Sequence, residues 1–180
     1  FHRPLAALAS GYRDVLEREF GRLPDRVGGW SFGGLVALEM AAQWESEGKV
    51  APPLMLVDSP FPTGDFALRL KEIVGSTTAL PSLADIDALA KDARFVALLD
   101  RDLGLLEMRA RLDPAEFARI SRLYASSVVS IVSRSFTALR APIHYALAAN
   151  GGNGRCRDDA WPHLARLTTG AIEVDVFDDD

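Results

Sequence analysis

The chain has 180 residues, is 48% hydrophobic and 25% charged, and carries a formal net charge of −5. That is enough apolar chain for one ordinary core, and it excludes a disordered or collagen-like polymer. The acidic balance argues against nucleic acid as the main partner, because phosphate binding needs a basic footprint, and no apolar run approaches the ~20 residues of a membrane helix.

The opening Phe-His-Arg-Pro has neither an initiator Met nor a signal peptide, so an excised piece of a longer protein is expected. Leu5 to about Phe20 reads as a helix, with Leu8, Tyr12, Val15, Leu16 and Glu19 at helical spacing and Gly21 as its stop. Pro24 and Asp25 lead into a short strand, Arg26 to Trp30. From Phe32 to about Gly48 the pattern is helical again: Leu35, Leu38 and Ala42 share a face that Val36 and Met40 extend. Pro53 to Val57 is a continuous apolar run ending at Asp58, which fits a strand buried on both faces of a parallel sheet.

Phe66 to Arg134 contains helical segments and no convincing strand. The clearest starts at Asp113-Pro114-Ala115-Glu116: Asp113 can cap it, Pro114 suits the first turn, and Glu116 can complete a capping box. Its stripe runs Phe117, Ile120, Tyr124, Val128, Ile131. Ile143 to Ala149 is a third strand, closed by Asn150-Gly151-Gly152. Asp159 to Arg166 reads as a short helix, and Ile172 to Phe177 as a fourth strand. This order predicts an α/β fold, a mostly parallel sheet with helices on both faces, interrupted by a helical lid.

Chemistry concentrates in Gly28-Gly29-Trp30-Ser31-Phe32-Gly33-Gly34. Gly29 and Gly33 each stand two residues from Ser31, between a predicted strand and a predicted helix. A nucleophilic serine must project from a tight turn at that place, where flanking side chains would collide, so both neighbours are expected to be glycine. The helix N-terminus favours negative charge, and the Phe32 N–H would be one oxyanion donor. The alternative is a glycine-rich turn whose serine only caps the next helix.

A serine needs a general base oriented by an acid. Asp58 ends the next strand, and carboxyl ends of adjacent parallel strands lie on one edge of the sheet. The alternative is a loop aspartate turning with Ser59. Asp158 and Asp159 are competitors, while Asp65, Asp85 and Asp87 read as solvated or capping positions. Of the three histidines, His2 precedes the serine, against the chain order Ser, acid, His. His144 lies inside an apolar strand and His163 on a helix that should point it away from the carboxyl edge. Cys156 is the single cysteine, which excludes an internal disulfide and fits a reducing cytoplasm. Neither the histidines nor the carboxylates give a metal-ligand geometry.

The run Gly28 to Gly34, followed by Leu35-Val36-Ala37-Leu38-Glu39-Met40-Ala41, resembles the type I thioesterase domains that end nonribosomal peptide and polyketide synthetases. Leu56-Val57-Asp58-Ser59, Pro142-Ile143 and Trp161 with Leu164 extend the match along most of the chain. The resemblance implies an α/β-hydrolase fold, with a core over residues 1–64 and 136–180 and a lid over about 65–135. It implies Ser31 as the acyl acceptor and Asp58 as the acid. The substrate would be an acyl or peptidyl thioester on the phosphopantetheine of an upstream carrier-protein domain, released by hydrolysis or cyclisation. No cofactor, metal, nucleic acid or membrane partner is implied, and the location would be cytoplasmic. The family's first strands, with the second oxyanion donor, would precede Phe1, and its histidine would follow Asp180. The 180 residues alone are therefore expected to turn over little substrate. The competing expectations are a general serine esterase or acyltransferase of the same fold, and a non-catalytic binding module.

Overall fold

The computed structural model describes residues 4–59, 85–97, 111–132, 137–148 and 157–177. The chain divides into two compact units, one of residues 5–61 with 136–180 and the other of residues 1–4 with 62–135.

The first unit is built as α1 (Leu5–Phe20), β1 (Val27–Trp30), α2 (Phe32–Ser46), β2 (Leu54–Val57), then β3 (Ile143–Ala148), a helix over Arg157–Leu167, and β4 (Ile172–Phe177). The four strands lie in sequence order, β1-β2-β3-β4, and every neighbouring pair is parallel. A parallel pair needs a crossover between its strands, which is why a helix or a long segment separates each from the next. At the amino edge, Leu139 bridges to Thr168, and the Thr168 hydroxyl donates to the carbonyls of Leu139 and Ala141.

Alternation along the strands divides the sheet into two faces. Leu54, Leu56, Ile143, Tyr145, Leu147 and Val174 are buried on one. The other carries Trp30, Met55 and Phe177, all exposed, along with half-buried His144. Met55 thus departs from the expectation of a β2 buried on both sides.

Helix α2 is buried almost all round, from Gly34 to Ala41 and again at Trp44. Helix α1 differs from its expected stripe. It buries Leu5, Ala9 and Arg13, whereas Tyr12 and Val15 are exposed. A cation takes the inward position because its charge is met there. The Arg13 guanidinium binds both Glu47 carboxylate oxygens at 2.6 and 2.7 Å and lies 5.5 Å from the Trp44 ring centroid. Such a paired, ring-stacked guanidinium can sit where a lone charge could not. Gly21 and Gly48, at φ 64° and 78°, end the two helices as left-handed residues.

The second unit shows α3 (Ile86–Leu89), a helical stretch over residues 93–97, and α4 (Pro114–Val132), with no strand among its described residues. Asp113 accepts hydrogen bonds from the N–H groups of Ala115 and Glu116 at 2.7 and 3.0 Å, the N-terminal cap that the sequence announces. These bonds hold its carboxyl below the usual aspartate range. Ser121, Ala125, Ser126, Val128, Val129 and Ser130 are its buried residues, while Phe117, Ile120 and Tyr124 are half-buried and Ile131 lies outside the described side chains. The Arg157–Leu167 helix, α5, starts two residues before its expected position.

Candidate active site

Strand β1 ends at Trp30, paired with Val57 at the end of β2. Ser31 and Asp58 are the next residues on the two strands, so they emerge side by side at the carboxyl edge, on strands ~5 Å apart. Ser31 has φ 50° and ψ −124°, and Asp58 has φ 45°. Among the described residues these are the two non-glycine positions with positive φ. Such backbone costs of order 1–3 kcal/mol and persists only where the surroundings impose it.

The surroundings do so. The Ser31 N–H donates to the Val57 carbonyl at 2.8 Å, and the Ser31 carbonyl accepts from Gly34 N–H at 3.0 Å. A Cβ on Gly29 would fall on the Gly33 carbonyl group, so the chain can turn this sharply only with glycine at that position. Gly33 is another matter. Among the described residues, a Cβ there would meet nothing within 4 Å, so the expected collision on both sides of the serine holds on one. The tighter constraint lies at Gly34, whose Cβ would overlap the Ser59 hydroxyl and come within 2.9 Å of the Ser59 Cβ.

Ser31 precedes α2 at the capping position, yet its side chain makes no capping hydrogen bond. Its φ and ψ also lie outside the extended conformation that a capping serine adopts. A serine serving only as a cap would have neither property. Phe32 opens α2, so its N–H belongs to the first turn, where a helix offers no acceptor of its own.

Asp58 is held from β3. Its N–H donates to the Ala146 carbonyl at 2.9 Å, and its Oδ1 accepts the Ala148 N–H at 2.8 Å. The Ser59 hydroxyl donates to the Val57 carbonyl at 3.4 Å rather than to the Asp58 carboxylate. The buried Tyr145 hydroxyl donates to the Ser59 carbonyl at 3.0 Å. Ser31 and Asp58 are both half-buried, accessible yet walled.

The other candidates lie elsewhere. His144 Nε2 is 2.6 Å from Asp175 Oδ2. It sits four residues before Ala148, ~13 Å back along β3 from the edge that carries Asp58. His163 is on α5, whose last residue, Leu167, accepts from Leu139 N–H at the amino edge. Asp158 and Asp159 belong to the first turn of α5, with side chains outside the described residues, as are His2 and Asp65. Asp87 pairs with Arg122 at 2.8 Å, and Asp85 precedes α3. Among the described residues no three His, Cys, Asp or Glu side chains gather as metal ligands, and no helix is long and apolar enough to cross a membrane.

A serine displayed by a strained strand-to-helix turn, with a tethered carboxylate on the adjoining strand end, is an arrangement that can support covalent acyl transfer. The family model of the thioesterase domain matches residues 1–179. The chain belongs to the thioesterase domain family. The orsellinic acid synthase of Armillaria mellea is 45% identical over 56 residues, 31% of this chain and 2% of that protein. Polyketide synthase 1 of Metarhizium brunneum is 42% identical over 60 residues, 33% of this chain and 3% of that protein. The chain thus spans only a few hundredths of these curated relatives.

Among solved structures, the NocB thioesterase domain, in covalent complex with a fluorophosphonate nocardicin G analog, aligns over all of this chain and 66% of its own. Its TM-score is 0.61 at 22% identity. The type II thioesterase BorB from the borrelidin biosynthetic cluster aligns over 98% of this chain and 62% of its own, with TM-score 0.56 at 19% identity. These likenesses support the α/β fold, a parallel sheet with helices, expected from the sequence.

Sequence reasoning named Gly34 and Ser59 without the contact between them, and it passed over Tyr145. A signal for the last was present. A tyrosine within an apolar strand brings a hydroxyl into the core, and that hydroxyl needs an acceptor.

Proposed function

We propose that this thioesterase domain releases an acyl or peptidyl chain through an acyl-Ser31 intermediate, with Asp58 as the orienting acid. The observation that carries this reading is the pair of positive-φ residues on adjoining strand ends, with the Ser31 hydroxyl uncommitted to helix capping. In the first step Ser31 Oγ attacks the thioester carbonyl carbon and its proton passes to a histidine base. The Phe32 N–H stabilises the oxyanion, the C–S bond breaks, and the thiol leaves with the proton. In the second, water or a hydroxyl or amine of the acyl chain attacks the acyl-serine carbonyl carbon, its proton passes through the base to Ser31 Oγ as the acyl–Oγ bond breaks, and a free acid or a cyclic product leaves.

The base is a histidine held by Asp58. His144 is tied to Asp175, far from the carboxyl edge, and does not supply it. The substrate would arrive on the phosphopantetheine of an upstream carrier domain, a reading supported by the two synthases among the relatives. Residues 65–135 would form the lid over the acyl chain, and the location would be cytoplasmic.

Mass spectrometry of the full-length polypeptide exposed to an N-acetylcysteamine thioester tests the reading. An acyl adduct on Ser31, absent from Ser31→Ala, is expected. An adduct elsewhere, or none in a folded protein, overturns it. Faster labelling by a simple aryl ester than by the thioester would favour a general esterase.

A further inference from the structure

The Asp58 carboxylate is useful only if its turn stays fixed, and strand β3 supplies the fixing. Two of the tethers are main-chain groups, the Ala146 carbonyl and the Ala148 N–H, which no substitution removes simply. A third comes from a side chain. Tyr145 is fully buried opposite Leu56, and its hydroxyl donates at 3.0 Å to the carbonyl of Ser59, itself fully buried and directly after Asp58. Ser59 in turn fills the space above Gly34 in the first turn of α2. The phenol thereby holds the residue wedged between the acid's turn and the helix that Ser31 precedes.

We propose that Tyr145 is a positioning residue for Asp58: its hydroxyl fixes the Ser59 carbonyl and so keeps the neighbouring carboxylate in its left-handed turn, aimed at the base. This rests on the reading of Asp58 as the acid. Tyr145 acts through Asp58, because its hydroxyl binds the carbonyl of Ser59, the residue directly after Asp58.

The test compares Tyr145→Phe, Asp58→Asn and the double variant in the full-length polypeptide, with an N-acetylcysteamine thioester as substrate. Phenylalanine keeps the ring and deletes one hydroxyl. We expect Tyr145→Phe to lower kcat about three- to tenfold with KM unchanged, the size of one lost hydrogen bond. On the Asp58→Asn background it should cost nothing more, because the two residues act in series. Amide hydrogen exchange at Ala148, whose N–H binds Asp58 Oδ1, should quicken in Tyr145→Phe while exchange at Val174 in the buried sheet holds steady. Thr168→Val, which deletes another buried hydroxyl at the opposite edge, should lower thermal stability and leave kcat alone.

An unchanged kcat in Tyr145→Phe, or a loss that multiplies with that of Asp58→Asn, overturns the proposal and leaves the acid's assignment standing. Should Asp58→Asn itself leave kcat intact, both fall together. A general loss of amide protection in Tyr145→Phe would show a structural role instead.

Discussion

Ser31 and Asp58 are each the first residue beyond a paired strand end, one after Trp30 and the other after Val57, and both turn into positive φ, at 50° and 45°. Two adjacent strands therefore break their regular geometry at the same level of the sheet.

Strain at Ser31 carries a stability cost that glycine would not bear. Ser31→Gly should unfold at higher temperature than the parent, by about 1 kcal/mol of stability, while Ser31→Ala, which keeps the Cβ, should not gain. Both should lose acyl-adduct formation. Calorimetry of the three proteins decides it; equal gains for Ala and Gly would mean that the turn stores no backbone strain.

Asp58→Asn keeps a residue that tolerates the left-handed turn and a side-chain oxygen to accept the Ala148 N–H. The fold should stay intact by circular dichroism while the acylation rate falls by up to about 10⁴-fold, the cost of a mis-oriented base in a triad.

Gly34→Ala would drive a methyl group into Ser59 and should cost about 1–3 kcal/mol through overpacking. Adding Ser59→Gly should recover much of that loss. Gly33→Ala, whose Cβ would meet nothing within 4 Å among the described residues, should fold at least as well as the parent. Urea denaturation midpoints of the four proteins check the ranking.

His144→Ala and His163→Ala should each leave the rate of Ser31 acylation within about twofold of the parent, because neither side chain stands at the carboxyl edge. A collapse of that rate in one of them, with folding intact, would identify the base and relocate the site's proton acceptor.

The cluster joining α1 to the end of α2 should make stability fall in acid. The Arg13 guanidinium and then Lys49 hold the Glu47 carboxyl below its ordinary value, and the Trp44 indole N–H and then Lys49 do the same for Glu17. Carboxylates depressed in the folded state stabilise it above their unfolded pKa of ~4.3, and that contribution disappears as pH falls through the depressed folded values. Denaturation midpoints of Glu47→Gln should lie below the parent's at pH 7, and the gap should close as pH falls through the depressed folded value.

Much of this architecture was legible in the residues because local signals agreed. Gly21 and Gly48 mark helix ends, Asp113 caps α4, and the bounds of α1 and β4 match their expected positions. The partners of Ser31 and Asp58 were less so. Periodicity put Tyr12 and Val15 in one helical stripe of α1, but the face that packs inward is the one carrying Arg13, which pairs with Glu47 34 residues away. The role of Gly34 was hidden because its constraint comes from Ser59 in a different strand turn, a contact made only when β1 and β2 are in register. Spacing reveals what a residue does to its own helix or strand, and these constraints act between them.

Helix α2 is fastened at both extremities. Its first turn packs on Ser59, and near its last turn Glu45 accepts the N–H groups of Arg140 and Ala141 at 2.8–2.9 Å, just before β3 begins. Over its 15 residues, ~22 Å, it is a strut clamped at one end where the chain re-enters the sheet and at the other beside Ser31. A displacement of the chain at Arg140 would therefore be carried along one helix to the turn that holds Ser31.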